Sequence, residues 1–226
     1  MKQKNQFIQT ILDNLPLGLA VNYFDKGTAT YMNKKFEEIY GWPKDELKDI
    51  STFFERIYPN PEFRQRIQAQ ILEDIKSGDP ERMQWDGIEV TAKDGSKRIV
   101  SAKNIPLYDQ NFMISTVWDI TERKQAELAL RQSEAKFTAF MDYLPGYAYI
   151  KDQDRKHVYV NRSLEQFFEV TPSQWLGKTL EELVPIPDAE IIKTNDEQIL
   201  KTQMPVQVEE NAGSGDNMPT FLSFKF

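Results

Sequence analysis

The hydrophobic positions of the chain form one pattern that occurs twice. The first copy begins with apolar residues at helical spacing in front of a proline, namely Ile8, Ile11, Leu12, Leu15 and Pro16. The second copy begins in the same way, with Phe137, Phe140, Met141, Leu144 and Pro145. Because a residue that precedes proline disfavours the helical conformation, each pattern predicts a helix that ends at its proline.

The elements that follow each proline also keep the same order. In both copies the pattern predicts an apolar strand, a polar turn, a second strand that ends in an asparagine, an amphipathic helix, a helical turn and a longer helix. In the first copy these elements lie at residues 17–24, 30–33, 34–40, 42–47 and 61–76, and in the second copy at residues 147–151, 158–161, 162–168, 172–177 and 188–202. An order preserved over this length indicates an internal repeat.

The rest of the first copy predicts a three-stranded antiparallel meander. Residues 83–90 alternate as a strand whose apolar phase slips at Asp86-Gly87, as a β-bulge would cause. The dipeptide Asp94-Gly95 supplies the positive φ of a tight hairpin turn, and two further strands follow at 99–108 and 112–119. The first copy is therefore predicted to be an α+β domain with five strands.

The second copy repeats this meander only in part. Val206 and Val208 mark one strand, residues 211–217 with Gly213-Ser214-Gly215 predict a turn, and residues 221–226 predict another strand. A counterpart of strand 112–119 is missing from the second copy. The strands that would pair with it would keep unpaired backbone groups, and each such group costs about 1–3 kcal/mol when it is buried. We therefore expect that the protein continues beyond Phe226, with a strand donated by another molecule as the alternative.

Composition narrows the chemistry that the chain can support. The net charge is −7, and nucleic-acid binding depends on clustered Lys and Arg, so no nucleic-acid partner is expected. The absence of cysteine excludes disulfides, thiolate chemistry and Fe–S clusters and weakens nearly every kind of zinc site, so no metal site is predicted. Neither a secretory signal nor an apolar stretch of about 18–20 residues is present, so we expect a cytoplasmic segment without a membrane span.

Two sequence motifs resemble the PAS family of sensory domains. Tyr31-Met32-Asn33-Lys34-Lys35-Phe36 is similar to the family's second strand and following helix, and Asp119-Ile120-Thr121-Glu122-Arg123-Lys124 is similar to its C-terminal Asp-Ile-Thr motif. The resemblance implies an α+β fold in which each domain has a five-stranded antiparallel sheet, order 2-1-5-4-3, with helices on one face. We expect a PAS-like domain at 1–121, a connecting helix at 122–144 and a second PAS-like domain, without its last strand, at 145–226.

The segment between the two copies predicts one long helix. Residues 122–144 contain no proline or glycine and are rich in good helix formers. Apolar residues recur there near the seam spacing of a coiled coil, at Ala126, Leu130, Phe137, Phe140 and Leu144. The seam predicts a homodimer formed through helices, and the alternative is a solvated linker helix.

The resemblance also implies a role for the start of this helix. In related proteins the Asp-Ile-Thr motif is the hinge between sensor and connector, which assigns signal transmission to Asp119, Ile120 and Thr121. Arg123, one helical turn beyond Asp119, is the expected ion-pair partner of that aspartate.

A small molecule held between sheet and helices is a further expectation from the resemblance. The candidate lining residues of the first copy are aromatic or flexible and apolar: Tyr31, Met32, Phe36, Ile39, Trp85 and Met113. The same residues would equally fill a solid core. The lack of cysteine excludes a flavin–cysteinyl photoadduct, and the only histidine, His157, is expected at the surface or edge of a strand rather than as a haem ligand. The identity of any cofactor stays open.

These features predict a sensory input segment of a larger signalling protein. The resemblance implies a downstream output domain, a histidine kinase first and a second-messenger cyclase next, while a ligand-free dimerisation scaffold is the alternative from another class. Adjacent carboxylates such as Glu37-Glu38 point apart rather than converge, and the sequence contains no P-loop. We therefore expect that the chain itself is not an enzyme.

Overall fold

The structure is a computed structural model that describes residues 2–47, 49–183, 186–211 and 220–226. The chain divides into two compact units, Met1–Ala129 and Leu130–Phe226, and the division falls within one long helix, α5 (Thr121–Tyr143). The turn predicted from Gly213-Ser214-Gly215 lies outside the described residues. Each unit is described by itself below.

The first unit is built on one antiparallel sheet. Its elements are, in chain order, α1 (Lys2–Asp13), β1 (Gly18–Tyr23), β2 (Ala29–Met32), α2 (Lys34–Tyr40), α3 (Ile50–Ile57), α4 (Pro61–Ser77), β3 (Gln84–Thr91), β4 (Lys97–Leu107), β5 (Phe112–Asp119) and the first part of α5. The strand order is β2-β1-β5-β4-β3, which confirms the expected topology in this unit. The last strand, β5, therefore lies between β1 and β4, in the centre of the sheet.

Local sequence signals determine where the helices of the first unit begin and end. The Asn60 side chain caps α4, Pro61 takes the first helical position, and Gly78 ends the helix in the left-handed conformation. Both α2 and α4 lie within one residue of their predicted bounds. Helix α3 was not predicted from the sequence; it begins where Asp49 accepts a hydrogen bond from the Thr52 backbone N–H at 2.8 Å.

The β3–β4 hairpin has both irregularities that the sequence predicts. The register of the pair shifts between Trp85 and Ile88, where Gly87 has a φ of 75°, so the bulge at Asp86-Gly87 is confirmed. At the turn, Gly95 has a φ of 82° and its N–H donates to the carbonyl of Ala92. Trp85 and Val90 are five residues apart, so regular strand alternation would place them on opposite faces of the sheet. The extra residue of the bulge brings both to the buried face.

The core of the first unit lies between the sheet and the short helices. The fully buried residues of β5, Met113 and Val117, stand four positions apart and so share one face of the strand, and the fully buried residue of β4 is Val100. The buried cluster consists of Ala20, Phe36, Ile39, Tyr40, Leu47, Phe54, Ile57, Tyr58, Val90, Val100 and Val117.

The second unit repeats the first half of this order. After the second part of α5 come β6 (Tyr149–Lys151), β7 (His157–Val160), α6 (Arg162–Phe168), α7 (Pro172–Trp175), α8 (Ile186–Thr202), β8 (Val206–Asn211) and β9 (Thr220–Lys225). Among its described residues the strands form two separate antiparallel pairs, β6-β7 and β8-β9. The described strands of this unit therefore do not form the five-stranded sheet seen in the first unit. Its core consists of Val160, Leu164, Trp175, Leu180, Ala189 and Ile192.

Candidate functional site

A cavity of about 480 Å³ lies between the sheet and the helices of the first unit. All five strands of the sheet contribute one wall, β2 through Met32, and α2, α3 and α4 contribute the other. Most of the lining is apolar, with Phe36, Phe53, Phe54, Tyr58 and Ile71 on the helical side. A cavity of this size and character is suited to a small organic molecule.

The structure brings four of the six predicted lining residues to this cavity. Met32, Phe36, Trp85 and Met113 line it, whereas Tyr31 and Ile39 do not. Tyr31 follows the alternation of β2 and faces the other way from Met32, where its hydroxyl donates to Asp13 Oδ1 at 3.0 Å. Partial burial and this hydrogen bond raise the pKa of Tyr31 to about 12.

Ile39 lies in the solid core instead of the cavity wall. Its side chain is only 1% exposed and belongs to the buried cluster that also contains Phe36 and Tyr40. On α2 it stands three residues after Phe36, so the two share one face of the helix, but only Phe36 reaches the open space.

The sheet wall of the cavity carries a row of three uncharged polar side chains, which we call the polar row: Asn22 on β1, Ser115 on β5 and Asn104 on β4. Asn104 is paired directly with Ser115, and Asn22 Nδ2 lies 3.4 Å from Ser115 Oγ. Within the described part of the chain the Asn104 carboxamide makes no hydrogen bond, although all three residues line the cavity. A half-buried carboxamide that faces a cavity offers both a donor and an acceptor to a ligand.

Sequence reasoning missed the polar row because it searched for aromatic and apolar lining residues. A signal was present in the alternation of the strands. Asn104 stands two residues after Ala102 and four after Val100, so it shares their inward face, and all three line the cavity. A polar residue at a predicted inward position was the sign of a binding wall.

Trp85 is held in the cavity wall by a buried carboxylate. Its indole Nε1–H donates to Asp74 Oδ2 at 2.8 Å. The other oxygen of Asp74 accepts from Arg82 Nε at 3.0 Å and lies 2.8 Å from Arg82 Nη2. The hydrogen bond to Asp74 raises the pKa of Arg82. Burying a carboxylate is costly unless it is paired, and here both oxygens are, so the Trp85 ring has a fixed orientation.

One lysine and one aspartate lie among the residues around the cavity. Lys76 on α4 is exposed and makes no ion pair with any described residue. Both oxygens of Asp49 are occupied, because they accept from the backbone and hydroxyl of Thr52, and these hydrogen bonds lower the pKa of Asp49. Lys76 is therefore the lining group that could meet a negative charge.

The three predicted transmission residues connect β5, β4 and α5. Asp119 Oδ1 accepts from the Thr121 backbone N–H at 2.9 Å and from the Thr121 hydroxyl at 2.5 Å. Ile120 is buried and its N–H donates to the carbonyl of Ile99 at 2.8 Å. The Ile99 N–H in turn donates to Thr121 Oγ1 at 2.8 Å. The start of α5 is thus hydrogen-bonded to β4 on both sides of Ile99.

The expected ion pair between Asp119 and Arg123 is wrong. Arg98 on β4 is the partner, with its Nη1 at 3.8 Å from Asp119 Oδ2, while Arg123 is exposed on α5. The prediction counted residues along the helix, but Asp119 still belongs to β5, and a cross-strand neighbour is closer than the next helical turn.

The predicted dimer seam is accessible along most of α5. Ala126, Leu130, Phe137 and Phe140 are exposed, Leu130 and Phe140 by more than 60%, and Leu144 is half-buried just after the helix ends. Phe137 also contacts Tyr159, with ring centroids 5.4 Å apart. Exposed apolar side chains at these positions agree with a partner helix, and pairing itself stays a prediction.

The expectation for His157 is wrong in its location. The residue begins β7 as predicted, but its side chain is 1% exposed instead of lying at the surface. Its ring packs against Trp175 and Tyr149, and Nδ1 lies 2.9 Å from the Lys178 carbonyl. Burial lowers the pKa of His157, so the neutral form is favoured in the folded unit. Apolar packing against Trp175 explains the burial that the strand pattern alone did not reveal.

Two further features of the described residues bear on function. They include no group of three or more His, Cys, Asp or Glu side chains that could hold a metal ion. No helix among them has the length and apolar character that crossing a membrane requires.

Comparisons with known proteins agree with this architecture. The family described as "PAS domain" matches residues 6–73, and the family described as "PAS fold" matches residues 141–225. The search of curated proteins found no match.

Among solved structures, the PAS domain of a protein from Colwellia psychrerythraea is 19% identical with a TM-score of 0.41, and the match covers 54% of this chain and 99% of that one. A sensory box histidine kinase/response regulator from Burkholderia thailandensis is 26% identical with a TM-score of 0.40, and the match covers 57% of this chain and 96% of that one. One family match falls in each unit, and the first unit has the strand order that the PAS resemblance implies. The chain therefore belongs to the PAS family, with two PAS domains in tandem.

Proposed function

We propose that the chain is a sensory input module whose first unit binds a small, uncharged organic molecule and passes its presence to α5. The observation that carries this proposal is the course of β5. Its residues Met113, Ser115 and Val117 line the cavity, and the same strand runs through Asp119 into α5. A molecule in the cavity would therefore touch the strand from which the connector helix starts.

The lining of the cavity supports the chemical class of the ligand. The polar groups on the sheet wall, Asn22, Asn104 and Ser115, are all uncharged. A charged group buried against them would lose its hydration without gaining an ion pair, which is costly. The ligand would thus place an aromatic or aliphatic body against the helices and a neutral hydrogen-bonding group, such as an amide, against the polar row.

The junction between β5 and α5 supports the second step of the proposal. A ligand that pulls on Asn104 and Ser115 acts on β4 and β5, and both strands are bonded to the start of α5 through Ile99 and Asp119. The output would come from a downstream domain, a histidine kinase first and a second-messenger cyclase as the alternative. In this proposal the chain itself is not an enzyme and acts in the cytoplasm.

The ligand proposal is tested by native mass spectrometry of the purified chain beside the same sample after denaturation. A small molecule that is present only in the native sample would support it. The chain is then screened by thermal shift against neutral aromatic amides such as benzamide and nicotinamide. Asn104→Leu should abolish the shift, whereas Lys103→Gln, the neighbour on the opposite face of β4, should preserve it. Binding that survives Asn104→Leu would contradict the role of the polar row.

A second candidate function is a ligand-free dimerisation scaffold. It is favoured by the exposed apolar side chains on the helices, among them Phe7, Ile8 and Ile11 on α1 and Leu130 and Phe140 on α5. A chain that carries no ligand, gives no shift with any amide and forms a stable dimer in light scattering would support this candidate instead.

A further inference from the structure

One asparagine in each unit joins the preceding helix, the first strand and the following helix. Asn33 is fully buried and follows β2. Its Oδ1 accepts from the N–H groups of Leu19, at 2.8 Å, and Phe36, at 3.0 Å. Its Nδ2 donates to the carbonyls of Leu12, at 2.8 Å, and Leu17, at 2.9 Å. Leu12 belongs to the last turn of α1, and Phe36 to the first turn of α2.

Asn161 makes the same four bonds in the second unit. It is also fully buried, and its Oδ1 accepts from the N–H groups of Ala148, at 2.9 Å, and Leu164, at 3.1 Å. Its Nδ2 donates to the carbonyls of Met141, at 3.0 Å, and Gly146, at 2.8 Å. Met141 lies in the last turn of α5, where Leu12 lies in α1. We call Asn33 and Asn161 the four-bond asparagines.

This arrangement uses the whole hydrogen-bonding capacity of the side chain. A carboxamide has two N–H donors and an oxygen that accepts twice, and in both units all four are used. The two functions are divided between its atoms. The oxygen caps the following helix and bonds the backbone at the beginning of the first strand, in β1 at Leu19 and directly before β6 at Ala148, while the nitrogen bonds the helix that comes before.

The nitrogen's role matters because α5 has little else to hold its end. None of its side chains is fully buried. In a continuing helix the N–H of residue 145 would bond the Met141 carbonyl, but residue 145 is a proline and has no N–H. The carbonyl accepts a longer hydrogen bond from the Leu144 N–H, at 3.4 Å, and the shorter one from Asn161 Nδ2, at 3.0 Å. The contact of Phe137 with Tyr159 is an additional connection to β7.

We propose that Asn161 is a positioning residue that fixes the last turn of α5 to the second PAS domain, as Asn33 fixes α1 to the first. At its other end α5 is bonded to β4 through Ile99. With Asn161 in place, each end of the connector is hydrogen-bonded to the domain it adjoins. The inference rests on the proposed function only for its meaning in signalling, because the bonds themselves can be tested without a ligand.

The substitution Asn161→Asp separates the two functions of the side chain. Aspartate retains an acceptor oxygen for Leu164 and Ala148 and is as good a helix cap as asparagine. It replaces the two donors by an oxygen that faces the carbonyls of Met141 and Gly146. Asn161→Ser is the uncharged companion variant, because serine also caps a helix but is too short to reach Met141. Asn161→Ala removes both functions.

Hydrogen exchange of the whole chain, followed by mass spectrometry, measures the amide exchange rates of peptides from each helix separately. In Asn161→Asp and Asn161→Ser we expect peptides that cover residues 137–148 to exchange about tenfold faster, while peptides from α6 and the first unit keep their rates. Asn161→Ala should accelerate α6 as well. The matched variant Asn33→Asp should accelerate the end of α1 and leave α5 unchanged.

Two results would overturn the inference. Unchanged exchange at residues 137–148 in both Asn161→Asp and Asn161→Ser would mean that the last turn of α5 is held by other contacts. An equal acceleration over all of the second unit in Asn161→Ser would mean that Asn161 supports the fold as a whole and does not position the helix. Neither result depends on a ligand, so a failure of the sensory proposal would leave the inference standing.

Discussion

Replacement of Asp74 tests how the wall of the cavity is held. Asp74→Ala leaves the indole N–H of Trp85 without an acceptor in a buried position, which costs about 1–3 kcal/mol. The lost ion pair adds less, about 0–1 kcal/mol, because the Arg82 side chain is 45% exposed and regains water. We therefore expect the first unit to lose about 1–4 kcal/mol of stability, mostly through Trp85.

Two further variants identify the cause of that loss. Asp74→Asn keeps an oxygen for the Trp85 N–H but places an NH2 donor where the second oxygen faces Arg82, so it removes the ion pair. Because the Arg82 side chain is 45% exposed and regains water, the cost should stay at about 0–1 kcal/mol, that of a surface ion pair. In a Trp85→Phe background the ring has no N–H group that could lose its acceptor. There Asp74→Ala should cost at least about 1 kcal/mol less than it does beside tryptophan.

The free energy of unfolding must be measured for the first unit alone, because two units need not unfold together. Urea titration with hydrogen exchange of peptides from β4 and β5 gives that value. If Asp74→Ala costs as much in the Trp85→Phe background as in the unsubstituted chain, the carboxylate does not act through the indole, and the reasoning is refuted.

Three other predictions follow from the same contacts. Burial lowers the pKa of His157 below its ordinary 6.5. The stability that neutral His157 contributes should therefore be complete above pH 6.5 and fall as the pH drops through the lower pKa of the folded state. His157→Gln should remove this part of the pH dependence, measured by urea unfolding of the second unit. Leu130→Glu should lower the dimer mass in light scattering, whereas Gln132→Glu on the same helix should not. Thr121→Val should cost about 1 kcal/mol, measured by amide exchange at the start of α5, and a cost near zero would contradict its bond to Ile99.

The fold of the first unit was predictable because local signals and tertiary packing agree in it. Asn60, Pro61 and Gly78 mark the ends of α4, and Gly95 marks the β3–β4 turn, so the bounds of these elements are visible in the local sequence. The exception is α3, whose start depends on a cap from Asp49. Its sequence, Ile50–Ile57, carries no glycine or proline that separates it from the turn before it.

The candidate site was only partly predictable, because a cavity and a solid core use the same residue types. Phe36 and Ile39 have the same character and share one face of α2, yet only Phe36 meets the open space. The difference comes from the spacing of the helices above the sheet. The hydrophobic pattern of the sequence does not contain that spacing. It identifies residues that point inward but does not separate those packed in the solid core from those that line the cavity.

The second unit shows a different reason for the limits of sequence reasoning. Its two strand pairs share no backbone hydrogen bonds among the described residues, and charged side chains connect them instead. Asp196 on α8 accepts from Lys151 of β6 at 2.5 Å and from Lys225 of β9 at 2.9 Å. Lys225 also bonds Glu210 of β8 at 2.6 Å.

Each of these four residues reads in the sequence as an ordinary surface charge, because burial of a lysine or a carboxylate is rare. Their burial is tolerable only as a set. Two lysines balance two carboxylates, so removing Asp196 would leave Lys225 with Glu210 alone and Lys151 without its carboxylate partner. One desolvated positive charge would then be unbalanced, at a greater cost than the pairs themselves contribute. The physical unit here is the balanced group of four. Because its members come from four separate elements, no local pattern along the chain could have predicted it.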